Sequence, residues 1–410
     1  MADGPAGLPG PTLSVVIAGM KFGYPEGSGA AARTHAYAKG LSESGAAVHV
    51  VSLLTPARSG PGMNAEPSGV HDGVSFEYAC GTRMRRSTFL GRRLLEARVP
   101  IGLWRAARRH FAVTSGPRVL IAYSDQPSWI ALTALVARSL QARCVVEVCE
   151  VPLVSERNRV RRALRRWLLD TFSYRLVDGF IAISGYLERY LRQRVPVDVP
   201  IIRVPILVSA EEFTGSASVG GGAGATRRVV FVGDLGNEGE VADLLEAFAR
   251  IAPDCPDVSL GLVGACSAGT RAELDALVAR LGLQGRVDFA GWASRAELPG
   301  VLGAATVLVL PRRSGLFSDA GFPTKLGEYL ASGRPVVTTA TGEIATHLTH
   351  AETAYIVPPG DPAAFAAQVR YVLDHADEAA SVGARGRRLA LRRFDRRWHG
   401  ARLNEFLRGL

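Results

Sequence analysis

The sequence predicts two α/β domains, each built around a doubly wound parallel sheet. Short apolar runs bounded by turn residues alternate with segments of helical periodicity, and this rhythm restarts after a Gly- and Ser-rich stretch in mid-chain. A length of 410 residues also exceeds what one hydrophobic core usually serves. We therefore expect two large lobes.

The first half opens with a βαβ unit. An apolar run at 13–18 lies between Pro11 and Gly19, helical periodicity covers 30–44, and a second apolar run follows at 47–51. Further strands are predicted at 119–122, 144–148 and 179–184. We assign residues 1–214 to this domain.

The second half repeats the pattern after a linker. Residues 215–226 lack apolar periodicity and have the composition of a flexible linker. The next apolar runs predict strands at 228–233, 258–264, 287–289, 307–310 and 335–338. We assign 227–392 to the second domain and 393–410 to a terminal helix.

The composition indicates a globular protein, because 47% of the residues are apolar. No run of eighteen apolar residues occurs and no signal-peptide pattern opens the chain, so we expect no membrane span and a cytoplasmic location. The five cysteines are scattered without metal-ligand spacing. This pattern favours reduced thiols and predicts no metal site.

Positive charge is concentrated in one part of the chain. The net charge is +10, yet residues 81–170 hold eighteen Arg and only six acids. Apolar residues at 160, 164, 167 and 168 fall on one helical stripe with arginines on the other faces. Such a helix could contact an anionic membrane or an anionic acceptor, or be a solvated arginine face over a core stripe. No aromatic platform accompanies the charge, so nucleic acid is not expected as a partner.

Ligands of open α/β sheets bind at the carboxyl ends of the strands. Gly29 lies after the first strand and before a helix, where the backbone can approach a ligand; the alternative is a tight turn that needs Gly for sterics. Gly233 and Asp234 hold the corresponding position in the second half. That loop carries Asp234 and Glu238 but no cation, so a phosphate there would rely on backbone N–H groups.

Residues 322–337 are the most informative segment. They predict a helix that begins near Pro323 and ends at Gly333, followed by an apolar strand. A carboxylate on this helix, Glu328, can accept both hydroxyls of a ribose. The alternative is a surface glutamate paired with Lys325, three residues earlier.

In their order, these motifs resemble the retaining glycosyltransferases of family 4 through most of the chain. Gly29, the turn at Gly45, the small-residue signature at 331–337 and the ending at 357–362 carry the resemblance. It implies the GT-B architecture, two Rossmann-like domains facing a central cleft, with the helix at 393–410 crossing back to the first domain. It also implies metal-independent sugar transfer, with retention, from a UDP- or GDP-sugar co-substrate to an acceptor hydroxyl.

The resemblance assigns donor binding to Gly29, Gly233, Asp234, Asp319, Gly321, Phe322, Lys325, Leu326 and Glu328. The sequence departs from the family at two points. The family's sugar-holding Glu falls at Ala320, which leaves Asp319 as the nearest substitute, and the usual Arg and Lys of the diphosphate loop fall at Asp234 and Glu238. Lys325 is therefore the best candidate to neutralise phosphate and the first catalytic candidate.

The second catalytic candidate is Glu150. Many relatives have a His after the strand equivalent to 145–148, whereas this chain has Glu150 at that strand end. A carboxylate shielded from water has a raised pKa and could orient or deprotonate the acceptor hydroxyl. The alternative is an ion pair with an arginine of the basic segment that follows.

Two other functions are compatible with the sequence. One is a different GT-B enzyme, such as a nucleotide-sugar epimerase or a phosphorylase. The other is a catalytically degenerate GT-B protein that binds and activates a true transferase, which the missing Glu at Ala320 favours. Glu328 and Lys325 favour the transferase. The sequence does not specify whether the acceptor is a polysaccharide, a lipid-linked glycan or a natural product.

Overall fold

The computed structural model describes residues 12–20, 23–27, 29–54, 66–82, 89–153, 156, 158–213, 227–236 and 238–410. The chain divides into two compact units, Met1–Pro205 with Arg396–Leu410, and Ile206–Asp395. The linker predicted at 215–226 lies outside the described residues. Within those residues, no helix is both long and apolar enough to cross a membrane.

The first unit is a parallel α/β sheet with helices. Its strands are β1 (Ser14–Gly19), β2 (Ala47–Ser52), β3 (Ser68–His71), β4 (Val74–Tyr78), β5 (Arg118–Tyr123), β6 (Arg143–Val148), β7 (Gly179–Ala182) and β8 (Ile201–Arg203). Its first five helices are α1 (Gly29–Glu43), α2 (Phe89–Ala112), α3 (Pro127–Ser139), α4 (Arg159–Leu168) and α5 (Gly185–Arg192). A π-helical turn at Leu169–Ser173 and a 3₁₀ turn at Tyr174–Leu176 continue α4.

The described strands of this sheet lie in the order β3-β4-β2-β1-β5-β6-β7-β8. All neighbours pair in parallel except β3 and β4, which are antiparallel. Every residue of β1 is buried, as expected of a central strand covered on both faces. The chain winds outward in opposite directions from β1 and β5, so their carboxyl ends form the topological switch point where such sheets bind ligands.

The second unit is a second parallel α/β sheet, as the sequence predicts. Its strands are β9 (Arg227–Val232), β10 (Val258–Val263), β11 (Val287–Gly291), β12 (Val307–Leu310), β13 (Val336–Thr339) and β14 (Tyr355–Val357). Its helices are α6 (Glu238–Ile251), α7 (Ala268–Arg280), α8 (Leu298–Gly303), α9 (Leu316–Ala320), α10 (Thr324–Ser332), α11 (Ile344–His347), α12 (Pro362–Asp374) and α13 (Ala376–Arg393), with a 3₁₀ turn at Ala210–Phe213. In the described part of the chain the strand order is β11-β10-β9-β12-β13-β14, with the switch point between β9 and β12.

The last helix, α14 (Arg396–Arg408), belongs to the first unit, where it packs on α1. Two glycines allow the close approach of the two helices. A Cβ at Gly400 would overlap the main chain of Gly40, and a Cβ at Gly40 would overlap the carbonyl oxygen of Arg396. Arg396 itself is buried and its Nη2 donates to Glu43 Oε1 at 2.6 Å.

We expect Gly400→Ala to destabilise the first unit by about 1–3 kcal/mol, because the added methyl group must push α14 away from α1. Urea unfolding followed by circular dichroism measures the effect. Gly409→Ala is the control, since its Cβ would meet nothing nearer than 3.5 Å. Equal stability of the two variants would contradict the tight contact.

Candidate functional site

The candidate donor site lies at the switch point of the second unit. Gly233 directly follows β9, and Arg312 comes two residues after the neighbouring β12. Lys325 lies in the first turn of α10, with its Nζ 5.4 Å from the centroid of the Phe231 ring. A Cβ at Gly233 would collide with that Nζ. The ammonium group can therefore lie at the strand end only because Gly233 has no side chain.

Two cations therefore share this strand end. Arg312 is buried and Lys325 is half-buried. Removal from water lowers the pKa of Lys325; Glu240 opposes the shift, and the charge of Arg312 adds to it. Burial also lowers the pKa of Arg312. The site thus holds positive charge that an incoming anion would stabilise.

Among the described residues, the two cations have few hydrogen-bond or ion-pair partners. Arg312 Nη2 donates to Ser318 Oγ at 3.2 Å, whereas Arg312 Nε is buried and has no hydrogen-bond partner among the described residues. The Lys325 ammonium likewise forms no ion pair within 4 Å with any described residue. Because native proteins rarely leave buried donors unsatisfied, the Arg312 Nε is a group to be explained by a ligand or by water.

Glu328 lies on α10, where the sequence places it. Its Oε1 accepts a hydrogen bond from Arg295 Nη1 at 2.7 Å, and Arg295 Nη2 lies 2.7 Å from Glu212 Oε2. Burial lowers the pKa of Arg295, but Glu328 and Glu212 more than offset this and raise it above its usual value. The alternative that pairs Glu328 with Lys325 is therefore wrong, since Arg295 is the residue that fixes Glu328.

The loop before α10 carries the other predicted donor residues. Asp319 is half-buried at the end of α9, whereas Ala320 beside it has no exposed surface, so Asp319 is the carboxylate of this loop that reaches solvent. Gly321 is buried in an extended conformation. Phe322 stacks on His347, with ring centroids 5.1 Å apart, and is buried.

Leu326 is also fully buried, so it and Phe322 support the site through packing, and their side chains do not face solvent. In the loop after β9, Asp234 is exposed and its Oδ1 accepts from the backbone N–H of Gly236 at 2.9 Å. Asp234 therefore closes the turn that leads into α6. The side chain of Glu238 lies outside the described residues.

In the first unit, Glu150 follows β6 and Asp125 follows the neighbouring β5. Glu150 is half-buried, and burial together with the charge of Asp125 raises its pKa. Among the described residues no arginine forms an ion pair with Glu150; Arg165 instead pairs with Glu156 at 3.2 Å. Gly29 is the exposed first residue of α1. Glu150 is thus a carboxylate with a raised pKa at a strand end.

A buried ion pair fixes the strand that carries Glu150, and sequence reasoning missed it. Arg33 Nε lies 2.6 Å from Glu147 Oε1, and Arg33 Nη2 donates to the Val204 carbonyl oxygen at 2.7 Å. Cys149 Sγ also donates to Glu147 Oε1 at 3.3 Å. A charged residue inside the apolar run at 144–148 was the available signal, because a buried carboxylate requires a partner.

A separate polar cluster could be considered for a metal. Ligand atoms of His35, His71 and Asp72 lie within 4.8 Å of one another. However, the Lys39 ammonium lies 3.3 Å from Asp72 Oδ2, and His35 Nδ1 is hydrogen-bonded to the Tyr24 hydroxyl at 2.8 Å. A cation already neutralises this carboxylate, so the cluster is better described as a polar network between α1 and the β3–β4 turn.

The sequence matches two protein families. Residues 226–375 match the family described as "Glycosyl transferases group 1", and residues 28–206 match the "Glycosyl transferase 4-like domain". The chain is 33% identical over 114 residues to the D-rhamnosyltransferase WbpZ of Pseudomonas aeruginosa, and 28% identical over 144 residues to the 2-deoxystreptamine glucosyltransferase of Streptomyces kanamyceticus. These matches cover 28% and 35% of this chain, and only 29% and 35% of the length of those relatives.

Solved structures resemble the whole chain. Sucrose-phosphate synthase from Thermosynechococcus elongatus superposes with a TM-score of 0.71 at 19% identity, covering 96% of this chain and 98% of that one. Anabaena HepE in complex with UDP and glucose gives 0.71 at 17% identity, covering 96% and 99%. At these identities the likeness is one of fold.

Proposed function

We propose that the chain, which has the GT-B fold, is a glycosyltransferase that transfers a sugar, in the cytoplasm, from a nucleoside-diphosphate sugar to an acceptor hydroxyl, with retention of configuration and without a metal ion. UDP is the first nucleotide to test, since HepE was solved with it. The acceptor class that we consider comprises polysaccharides, lipid-linked glycans and natural products.

The observation that carries the proposal is the pair of cations at the switch point of the second unit. Arg312 and Lys325 replace, by position in space, the Arg and Lys that the diphosphate loop lacks at Asp234 and Glu238. A diphosphate bound at the N-terminus of α6, beside Gly233, would receive both charges and backbone N–H groups. Binding of the diphosphate would also reduce the electrostatic repulsion between the two cations.

In the reaction, the bond between the anomeric carbon and the diphosphate oxygen breaks, and the acceptor oxygen bonds to the same face of that carbon. Negative charge grows on the leaving phosphate, where fixed cations stabilise the transition state more than the ground state. The acceptor proton passes to the carboxylate of Glu150, while the two cations stabilise the charge that stays on the leaving diphosphate. Glu150 orients the acceptor hydroxyl by accepting its hydrogen bond, and Glu328 binds the ribose hydroxyls.

Glu328→Ala should abolish the thermal stabilisation that a nucleoside diphosphate gives the wild-type protein. At a ligand concentration of 100 Kd that stabilisation is about 2.7 kcal/mol. Melting curves with UDP, GDP and their sugars measure it. Glu212→Ala is the matched control, because it removes the other carboxylate from Arg295 while leaving Glu328 in place.

The two variants separate ribose binding from a structural role of the Arg295 cluster. We expect Glu212→Ala to keep the nucleotide-induced shift and Glu328→Ala to lose it. If both variants lost the nucleotide-induced shift equally, Glu328 would be a structural partner of Arg295 and would not bind the ribose. No shift of the wild-type protein with any nucleotide would favour the catalytically degenerate GT-B protein instead.

A further inference from the structure

Helix α4 turns its apolar residues toward solvent. Val160, Leu164 and Trp167 are 78%, 55% and 53% exposed, and their spacings of four and three residues place them on one face. No described residue of α4 is buried. The alternative of a solvated arginine face over a core stripe is therefore wrong: the stripe itself is solvated.

The turn that follows α4 extends this apolar face. Phe172 is 53% exposed and its ring packs edge-on against Trp167, with centroids 5.5 Å apart. Residues five apart do not meet on a regular α-helix, but the π-helical turn at Leu169–Ser173 adds a residue to the helical repeat and brings the two rings together. We call Val160, Leu164, Trp167 and Phe172 the α4 apolar patch.

Arginines border this patch on both sides. Arg159 and Arg161 are exposed and flank Val160, about 100° to either side of it around the helix. Neither forms an ion pair with the described residues. Arg162 and Arg165 point back to the protein, where both contact Glu156, at 3.4 Å to its carbonyl oxygen and 3.2 Å to its carboxylate.

We propose that the α4 apolar patch and its flanking arginines dock the protein on an anionic lipid bilayer. Apolar and aromatic side chains of an interfacial helix enter the boundary of the acyl chains while basic residues meet the lipid phosphates. Tryptophan, here Trp167, is enriched at that interface. Between 81 and 170 the sequence also holds eighteen Arg against six acids, an excess of positive charge that favours an anionic partner.

A second copy of the chain fits this patch less well. A symmetric contact would place the same arginine-bordered patch on both partners, so like charges would meet around the apolar residues. An anionic bilayer offers apolar volume and negative charge together. Docking through the α4 apolar patch does not depend on catalysis, because it rests only on the exposure and charge of these residues.

The experiment is co-sedimentation of the full chain with vesicles of phosphatidylglycerol and phosphatidylcholine, compared with phosphatidylcholine alone. We expect binding to the mixed vesicles that falls as salt is added. The double variant Arg159→Gln/Arg161→Gln should bind about 25-fold more weakly, at roughly five-fold for each basic residue near an anionic surface. Leu164→Ser/Trp167→Ser should lose binding altogether.

Val197→Ser is the control, because Val197 is 93% exposed and lies outside the patch. It should bind as the wild-type protein does. Melting curves of all variants should coincide, since every substituted side chain is exposed. Equal binding to phosphatidylcholine alone, no binding at all, or unchanged binding of the α4 variants would overturn the proposal. A dimer in sedimentation velocity that Leu164→Ser/Trp167→Ser dissociates would assign the patch to a second copy instead.

Discussion

Lys325→Met should weaken nucleoside-diphosphate binding by about 2–5 kcal/mol, the cost of removing one partner of a desolvated charge pair. The same change should leave the ligand-free protein as stable as before or more so, because the ammonium is half-buried beside Arg312 and methionine has a similar length without the charge. Calorimetric titration with UDP or GDP measures the first effect. Melting temperature without nucleotide measures the second.

Arg312 and Arg370 serve as a second test residue and as the control. Arg312→Met should behave as Lys325→Met does, because both remove charge from the switch point. Arg370 on α12 is exposed and pairs with Asp374 at 3.5 Å, so Arg370→Met should change stability by about 0–1 kcal/mol and binding little. A loss of ligand-free stability with unchanged binding in Lys325→Met would assign the lysine to folding.

Glu150→Gln should lower kcat by a factor of about 10²–10⁴ while nucleotide affinity stays unchanged, since general acid–base groups contribute that much. The substitution keeps the size of the side chain but weakens its ability to accept the acceptor's proton or hydrogen bond. Release of nucleoside diphosphate with an acceptor that the wild-type protein uses measures kcat. An unchanged kcat would exclude Glu150 from acceptor activation.

The pH profile distinguishes this role from a structural one. Burial and then Asp125 raise the pKa of Glu150, and the ionised carboxylate is the active form, so activity should rise with pH through that raised pKa. Asp125→Asn removes the negative charge and lowers the pKa, so the acidic limb should move to lower pH. A limb that does not move in Asp125→Asn would contradict the coupling.

Much of the fold could be predicted from the sequence, because parallel strands that are buried on both faces appear there as short apolar runs. Strand β12, at Val307–Leu310, coincides with its prediction, and β1 is displaced by one residue. The hairpin of β3 and β4 was missed although its turn signal, Asp72-Gly73, was present; both residues have positive φ, as such a turn requires. Strands β8 and β14 have only three residues each, which is too short for an apolar run to be recognised in the sequence.

The donor site was only partly predictable for a different reason. Gly233 and Lys325 were identified from local motifs, and the structure brings them into contact range. Arg312 and Arg295 were missed because their importance depends on neighbours distant in sequence. Arg312 lies at the same strand end as Gly233 only because β12 lies beside β9, and Arg295 meets Glu328 across 33 residues of chain. Such pairings follow from strand order and packing, which local periodicity does not encode.

The packing of α14 on α1 affects the order in which the two units can complete their folds. The partner of α1 is synthesised only after all of Ile206–Asp395 has been translated. The second unit is continuous in sequence and can complete its fold without the terminal helix. The first unit cannot, because the small-residue surface around Gly40 stays exposed until α14 packs on it. A released chain that ends before Arg396 would therefore carry a finished second unit and an unfinished first one.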